Sequence, residues 1–109
     1  MHVGIAGFFG NSPRRDLPFA RDFAQTIEAL NFRTLSLPEH VVFFPTYESN
    51  YPYTEDGEPN WGPDTGIFDP LFVAQALAHA TTKLRFVTGV LILTQRPAVL
   101  TAKGVFPVE

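Results

Sequence analysis

The chain has 109 residues and a formal net charge of −3, and 45% of its residues are hydrophobic, with eleven phenylalanines among them. This composition supports one domain with an apolar core, and the weak acidic balance argues against a nucleic-acid partner. The absence of cysteine excludes disulfides, thiolate metal sites and a cysteine nucleophile. The start of the chain does not resemble a signal peptide and no apolar run approaches the ~20 residues of a membrane helix, so we expect a cytoplasmic protein without a membrane partner.

The first 30 residues predict a strand followed by a helix. Residues 2–9 are mostly small and apolar and run into a Gly-Asn-Ser-Pro turn, which indicates a buried strand. Asp16 can cap a helix over residues 17–30, with Pro18 in its first turn. The apolar residues of this segment recur at helical spacing and form one face, made by Phe19, Phe23, Ile27 and Leu30.

The junction after this helix predicts its end and a second strand. Asn31 can adopt the left-handed conformation that follows many helices, and Phe32 can make the apolar contact behind it. The next strand is predicted over residues 33–37 and is stopped by Pro38.

Residues 41–68 form a long loop without hydrophobic periodicity. The segment is rich in proline and contains all three tyrosines and the only tryptophan. Loops of this length in compact domains are usually functional or disordered, and the aromatic residues argue for order. We expect either a lid over a ligand or a loop anchored by its rings, which are Tyr47, Tyr51, Tyr53 and Trp61.

The last 40 residues predict a second helix, a third strand and a partial third helix. Asp69 and Pro70 can open a helix over residues 70–82 that is apolar nearly all round and so needs cover on both faces. Residues 84–93 form an almost continuous apolar run, typical of a parallel strand buried on both faces. A turn leads into a partial helix over residues 98–105. Alternating strands and helices predict an α/β fold with a parallel sheet and right-handed crossovers.

Several motifs together resemble the bacterial luciferase-like family of oxidoreductases. The resemblance covers about residues 2–104 and is most specific in the second half, from Phe68-Asp69-Pro70-Leu71 through Ala80-Thr81-Thr82-Lys83-Leu84-Arg85-Phe86-Val87-Thr88-Gly89-Val90-Leu91-Ile92-Leu93-Thr94-Gln95-Arg96. It also includes Leu37-Pro38-Glu39-His40-Val41-Val42 and Ala102-Lys103. Tyr51-Pro52-Tyr53 and Glu55-Asp56-Gly57 resemble the branch that uses the deazaflavin coenzyme F420.

The resemblance implies that residues 1–109 are the N-terminal part of a (β/α)8 barrel, with about three of its βα units. A complete barrel needs about 250 residues, so a truncated enzyme is expected. Asn31 replaces the glycine usual in the family, and residues 104–109 depart from the family pattern. The implied partners are a small-molecule substrate and a second copy of the chain bound through the second helix.

The implied activity is hydride transfer between coenzyme F420 and a small organic substrate. The alternatives are an FMN-dependent monooxygenase of the same family and a non-catalytic interaction fragment. No metal is expected, because the three histidines show no ligand spacing with carboxylates.

His40 and Glu39 are the candidate catalytic residues. An imidazole can exchange a proton with a substrate near neutral pH, and the family has a histidine beside the reactive ring at the position of His40. The alternative for His40 is a hydrogen bond to a loop carbonyl. Glu39 is expected to orient His40, to bind substrate or to accept hydrogen bonds from loop N–H groups.

Thr88, Gly89 and Val90 are the candidate cofactor-binding residues. The resemblance implies that their backbone lies against the flavin or deazaflavin ring, and that the peptide bond between Gly89 and Val90 is cis. The alternative is that Gly89 marks a bulge or close packing within an ordinary strand.

Overall fold

A computed structural model describes residues 1–6 and 16–105 of the chain. The end of the first predicted strand and the turn after it lie outside these residues. The elements are β1 (Gly4–Ile5), α1 (Leu17–Ala29), β2 (Thr34–Leu37), α2 (Pro70–Ala78), β3 (Arg85–Thr88) and α3 (Ala98–Val105), with a 3-10 turn over Leu93–Gln95.

The three strands form one parallel sheet in the order β1-β2-β3. Gly4 pairs with Thr34, and Thr34 pairs in turn with Arg85. The sheet is open, with β1 and β3 as its edges within the described residues. The expectation of a (β/α)8 barrel is therefore wrong: closure requires strands that return to pair with the first one, and a closed barrel core is usually built from about eight strands.

The core lies on one face of the sheet, beneath α1 and α2. Leu35 and Leu37 point to this face because side chains alternate along a strand, and both are fully buried. Two alanines on α1 allow that helix to approach the sheet closely. The buried cluster consists of Ala20, Ala24, Ile27, Leu35, Leu37, Val73, Leu77 and Leu84.

The opposite face of β3 is open in the described part of the chain. Arg85 and Val87 are exposed there, whereas Phe86 and Thr88 on the core face are half-buried. The prediction of a strand buried on both faces is wrong, because no described helix covers the second face. The strand is also shorter than predicted. Gly89 N–H donates to Leu37 O at 2.9 Å, and the pairing with β2 ends at Thr88, opposite Leu37.

Both ends of α1 follow from local sequence signals. Asp16 accepts a hydrogen bond from Phe19 N–H at 2.7 Å and caps the helix as predicted. Asn31 has a φ of 66°, and Phe32 N–H donates to Ile27 O while Asn31 N–H donates to Glu28 O. These two bonds form a Schellman motif, and Phe32 packs against the core. The predicted helix end is confirmed.

The helix α2 begins as predicted but ends four residues early. Asp69 caps it by accepting from Leu71 N–H and Phe72 N–H. The chain leaves the helix after Ala78, where Thr81 Oγ1 donates to Leu77 O at 2.8 Å. Only one face of α2 is buried, and Phe72 on the other face is 73% exposed.

Glu28 joins α1 to the turn between α2 and β3. Its Oε1 accepts hydrogen bonds from the N–H groups of Thr82, Lys83 and Leu84, at 2.9, 2.5 and 2.8 Å. The pKa of Glu28 lies below its ordinary value, and the bond from Lys83 N–H is the main cause. Hydrogen bonds stabilise the ionised carboxylate, and this effect outweighs the loss of solvent, which alone would raise the pKa.

No helix in residues 1–6 and 16–105 has the length and apolar character needed to cross a membrane.

Candidate functional site

The carboxyl ends of β2 and β3 bring the predicted site residues to one edge of the sheet. Leu37 and Thr88, the last residues of the two strands, are paired in register. His40 follows Leu37 by three residues, and Gly89 and Val90 directly follow Thr88. In open parallel sheets, ligands bind in the crevice beyond this edge.

The segment from Thr88 to Val90 presents little side-chain bulk at the edge. A β-carbon on Gly89 would lie 2.5 Å from Ser36 Oγ, so a larger residue here would require the Ser36 hydroxyl to rotate away. Val90 is 69% exposed, so its apolar surface is accessible to a ligand. The peptide bond between Gly89 and Val90 is cis, as predicted.

Glu39 is the centre of a buried polar network. Its Oε2 accepts from Ile92 N–H, and its Oε1 accepts from Gln95 Nε2 at 2.7 Å and from Arg96 Nη2. Only 5% of the Glu39 side chain is exposed. Glu39 thus accepts a hydrogen bond from a loop N–H, which was one of its three expected roles, and its roles toward His40 and substrate stay predictions.

Arg96 connects Glu39 to the cap of α2. Its Nη2 donates to Asp69 Oδ2 at 2.6 Å, and its side chain is 13% exposed. Burial alone would lower the pKa of the Arg96 guanidinium, but the hydrogen bonds to Asp69 and Glu39 outweigh burial and hold the pKa above its ordinary value. Arg96 therefore remains charged and binds two carboxylates.

The network is the part of the site that sequence reasoning missed. A lone arginine is usually solvated, and nothing local marks Arg96 as buried. The available signal was the Gln95-Arg96 pair, which belongs to the motif that resembles the luciferase-like family. The sequence also offers Arg14 and Arg15 as residues that could contact a phosphate, and both lie outside the described residues.

His40 is exposed and stacks on a neighbouring ring. Its imidazole lies 4.5 Å from the ring of Phe43, at an interplanar angle of 21°. Phe43 contacts Trp61, and Trp61 contacts Tyr51 edge-on at 4.9 Å. A continuous series of rings therefore connects His40 to the middle of the long loop.

Hydrogen bonds hold the loop over residues 41–68 in a defined conformation. Tyr51 N–H donates to Gly57 O at 2.6 Å, and Thr54 Oγ1 donates to Glu58 O at 2.8 Å. Gly57 has a φ of 75°, and a β-carbon at this position would overlap the side chain of Asn50. The lid and the loop anchored by its rings both stay predictions, since the rings of the loop contact one another and Tyr53 is 83% exposed.

A pocket of about 220 Å³ lies between this loop and His40. Its walls include Tyr47, Tyr51 and Trp61. The structure thus brings His40 together with the aromatic residues, places Thr88, Gly89 and Val90 at the same edge of the sheet, and ties Glu39 into the ionic network.

Comparison with known proteins identifies relatives without a known activity. The chain is 32% identical over 88 residues to an uncharacterized protein of Mycobacterium tuberculosis, and equally to one of Mycobacterium bovis. The matched residues make up 81% of this chain. They span only 31% of the length of each relative. No family model matches the chain. No solved structure matches it.

Proposed function

We propose that the chain forms the cofactor- and substrate-facing part of a luciferase-like oxidoreductase. In this proposal it takes part in hydride transfer between coenzyme F420 and a small organic substrate in the cytoplasm. The observation that carries the proposal is that His40 and the segment from Thr88 to Val90 share the carboxyl edge of the sheet, because a proton donor and a surface for a planar ring are needed side by side.

The edge fits a flat aromatic cofactor. Gly89 contributes no side chain and Val90 offers exposed apolar surface, so Thr88, Gly89 and Val90 can support one face of a ring. When bound, the coenzyme supplies a carbon that accepts or donates hydride. The role of the three residues is to position the ring and to keep water from the supported face.

His40 is suited to moving the proton that accompanies hydride transfer. The imidazole is exposed, and its stacking on Phe43 restricts the orientation of the ring. A ring nitrogen takes the proton from a substrate hydroxyl or amine when hydride leaves the neighbouring carbon, and returns it in the reverse reaction. Glu39 acts indirectly, because its bonds to Ile92 and Arg96 hold the segment after β3 against the segment that carries His40.

Replacing His40 tests the proposed proton transfer. We expect His40→Ala to lower turnover by about 10²–10⁴-fold, the usual contribution of general acid–base catalysis, and to change cofactor affinity much less. The measurement is steady-state kinetics with a panel of small alcohols and amines, together with a cofactor titration. Leu30→Ala, at an exposed position just after α1, is the control.

Full turnover in His40→Ala would contradict the catalytic role. The cofactor is identified in the same titration, by quenching of deazaflavin fluorescence or by changes in FMN absorbance. Binding of FMN alone would support the monooxygenase alternative, and binding of neither cofactor would support the non-catalytic one.

A further inference from the structure

Aromatic and proline residues make up most of the wall of the pocket beside His40. Tyr47, Tyr51 and Trp61 line it, and all three are half-buried and so have restricted freedom. The volume of about 220 Å³ is below the roughly 300–1,000 Å³ of pockets that hold drug-sized ligands. The pocket is therefore of a size for a small molecule or a single head group.

Two rings of the pocket wall meet at a steep angle. Tyr51 and Trp61 meet at an interplanar angle of 78°, with their centroids 4.9 Å apart. Rings at nearly right angles form a corner, and the negative π-face of an aromatic ring attracts an ammonium group. The backbone bond from Tyr51 N–H to Gly57 O holds the main chain at one side of this corner.

The charge of the loop favours a cationic ligand. Residues 41–68 contain five carboxylates and no lysine or arginine. Glu48 lies between the pocket residues Tyr47 and Ser49, and Glu58 directly precedes Pro59 of the pocket wall. Arg96, which follows β3, is paired with Glu39 and Asp69. The five carboxylates are Glu48, Glu55, Asp56, Glu58 and Asp64.

We propose that this pocket binds a small alkylated ammonium group, and that such an organic cation is the substrate class of the His40 site. The second statement rests on the proposed function, whereas the binding itself needs no cofactor. Carboxylates attract the cation over a distance and the rings hold it by contact, while an anion of the same size is repelled by the loop.

The single tryptophan allows a direct test with the unaltered chain. Trp61 lines the pocket and is the only tryptophan, so its fluorescence reports on this pocket alone. Choline should change this fluorescence saturably. The uncharged isostere, with carbon in place of the ammonium nitrogen, should bind about tenfold more weakly because it lacks the cation–π attraction. Equal affinity for the two compounds, or no response to choline, would overturn the inference.

A pair of variants locates the binding. Tyr51→Leu should weaken choline binding about tenfold, whereas Tyr51→Phe keeps the ring and should bind choline as the unaltered chain does. Phe72→Leu, on α2 and outside the pocket, should also leave binding unchanged. Loss of affinity in Phe72→Leu equal to that in Tyr51→Leu would contradict the proposed location. Coenzyme binding without a choline response would overturn this inference and leave the proposed function intact. A choline response without coenzyme binding would contradict the proposed function and leave the binding of the cation intact.

Discussion

At the scale of single residues, the ionic network around Arg96 is the feature with the largest energetic consequence. One guanidinium binds two carboxylates, of which Glu39 is 5% exposed and Asp69 is 29% exposed. A buried ion pair contributes little compared with an apolar pair, but removal of one partner leaves a charge without compensation. Arg96 is therefore a residue whose loss the site does not tolerate, although it touches neither His40 nor the pocket.

We expect Arg96→Met to lower the free energy of unfolding by about 3 kcal/mol, because the buried Glu39 and the half-buried Asp69 lose their cation. Urea denaturation of the purified chain measures this. The control is Arg21→Met, which removes an ion pair with Asp22 whose side chains are 56% and 65% exposed. Its effect should stay within about 0.5 kcal/mol. Similar losses in both variants would show that the network is not buried in solution.

At the scale of elements, Glu28 joins two parts of the fold that are distant in sequence. One carboxylate oxygen at the end of α1 accepts hydrogen bonds from three N–H groups of the turn before β3. Hydrogen bonds to a charged group are stronger than those to a neutral one. This joint sets the position of β3 relative to α1, and so it contributes to the position of the carboxyl edge.

The lowered pKa of Glu28 predicts a pH dependence of stability. Because the folded pKa lies below its ordinary value of 4.5, the contribution is fully present above that value and is lost as the pH falls through the folded pKa. Glu28→Gln should cost about 1 kcal/mol near neutral pH. The difference from the unaltered chain should vanish in acid.

Denaturation at a series of pH values measures this difference. Glu55→Gln, which changes an exposed loop carboxylate, is the control and should show a much smaller difference. A Glu28→Gln difference that stays constant down to strongly acidic pH would contradict the assignment.

Local signals in the sequence predicted both ends of α1 and the start of α2, and long-range contacts decided what the sequence did not predict. Asp16, Asn31 and Asp69 act within a few residues of the turns that they stabilise, so their roles were readable from the sequence. The partners Glu39 and Arg96 are 57 residues apart, and their contact depends on the register of β2 and β3. Strand length and sheet closure depend in the same way on partners outside the local sequence, which is why β3 was predicted too long and the barrel was wrong.

At the scale of the whole molecule, exposed apolar side chains predict association. Phe72 on α2 is 73% exposed, and Leu100 on the nearby α3 is 65% exposed. Both residues line one groove of about 330 Å³. Apolar surface of this kind commonly marks an interface. The expected pairing of two copies through α2 remains a prediction.

We expect the chain to sediment as a dimer or a larger species at micromolar concentration, and Phe72→Asp to shift it toward monomer because a carboxylate resists burial in an apolar interface. Sedimentation velocity distinguishes these states. The control is Leu30→Asp, which places the same charge at the end of α1, on a residue that is 65% exposed. This variant should leave the oligomeric state unchanged. A monomeric unaltered chain would rule out the predicted pairing.

The proposal that the carboxyl edge of the sheet receives the deazaflavin ring is tested most directly at Val90. The test titrates coenzyme F420 into a variant that carries a charge at this position. Val90 is 69% exposed, so Val90→Asp should cost little stability while it places a carboxylate on the proposed ring platform. Leu30→Asp carries the same charge at the opposite, amino edge of the sheet. We expect saturable quenching of the deazaflavin fluorescence by the unaltered chain and by Leu30→Asp. Val90→Asp should bind the coenzyme about tenfold more weakly. Equal quenching by all three proteins would contradict binding of the deazaflavin ring at the carboxyl edge.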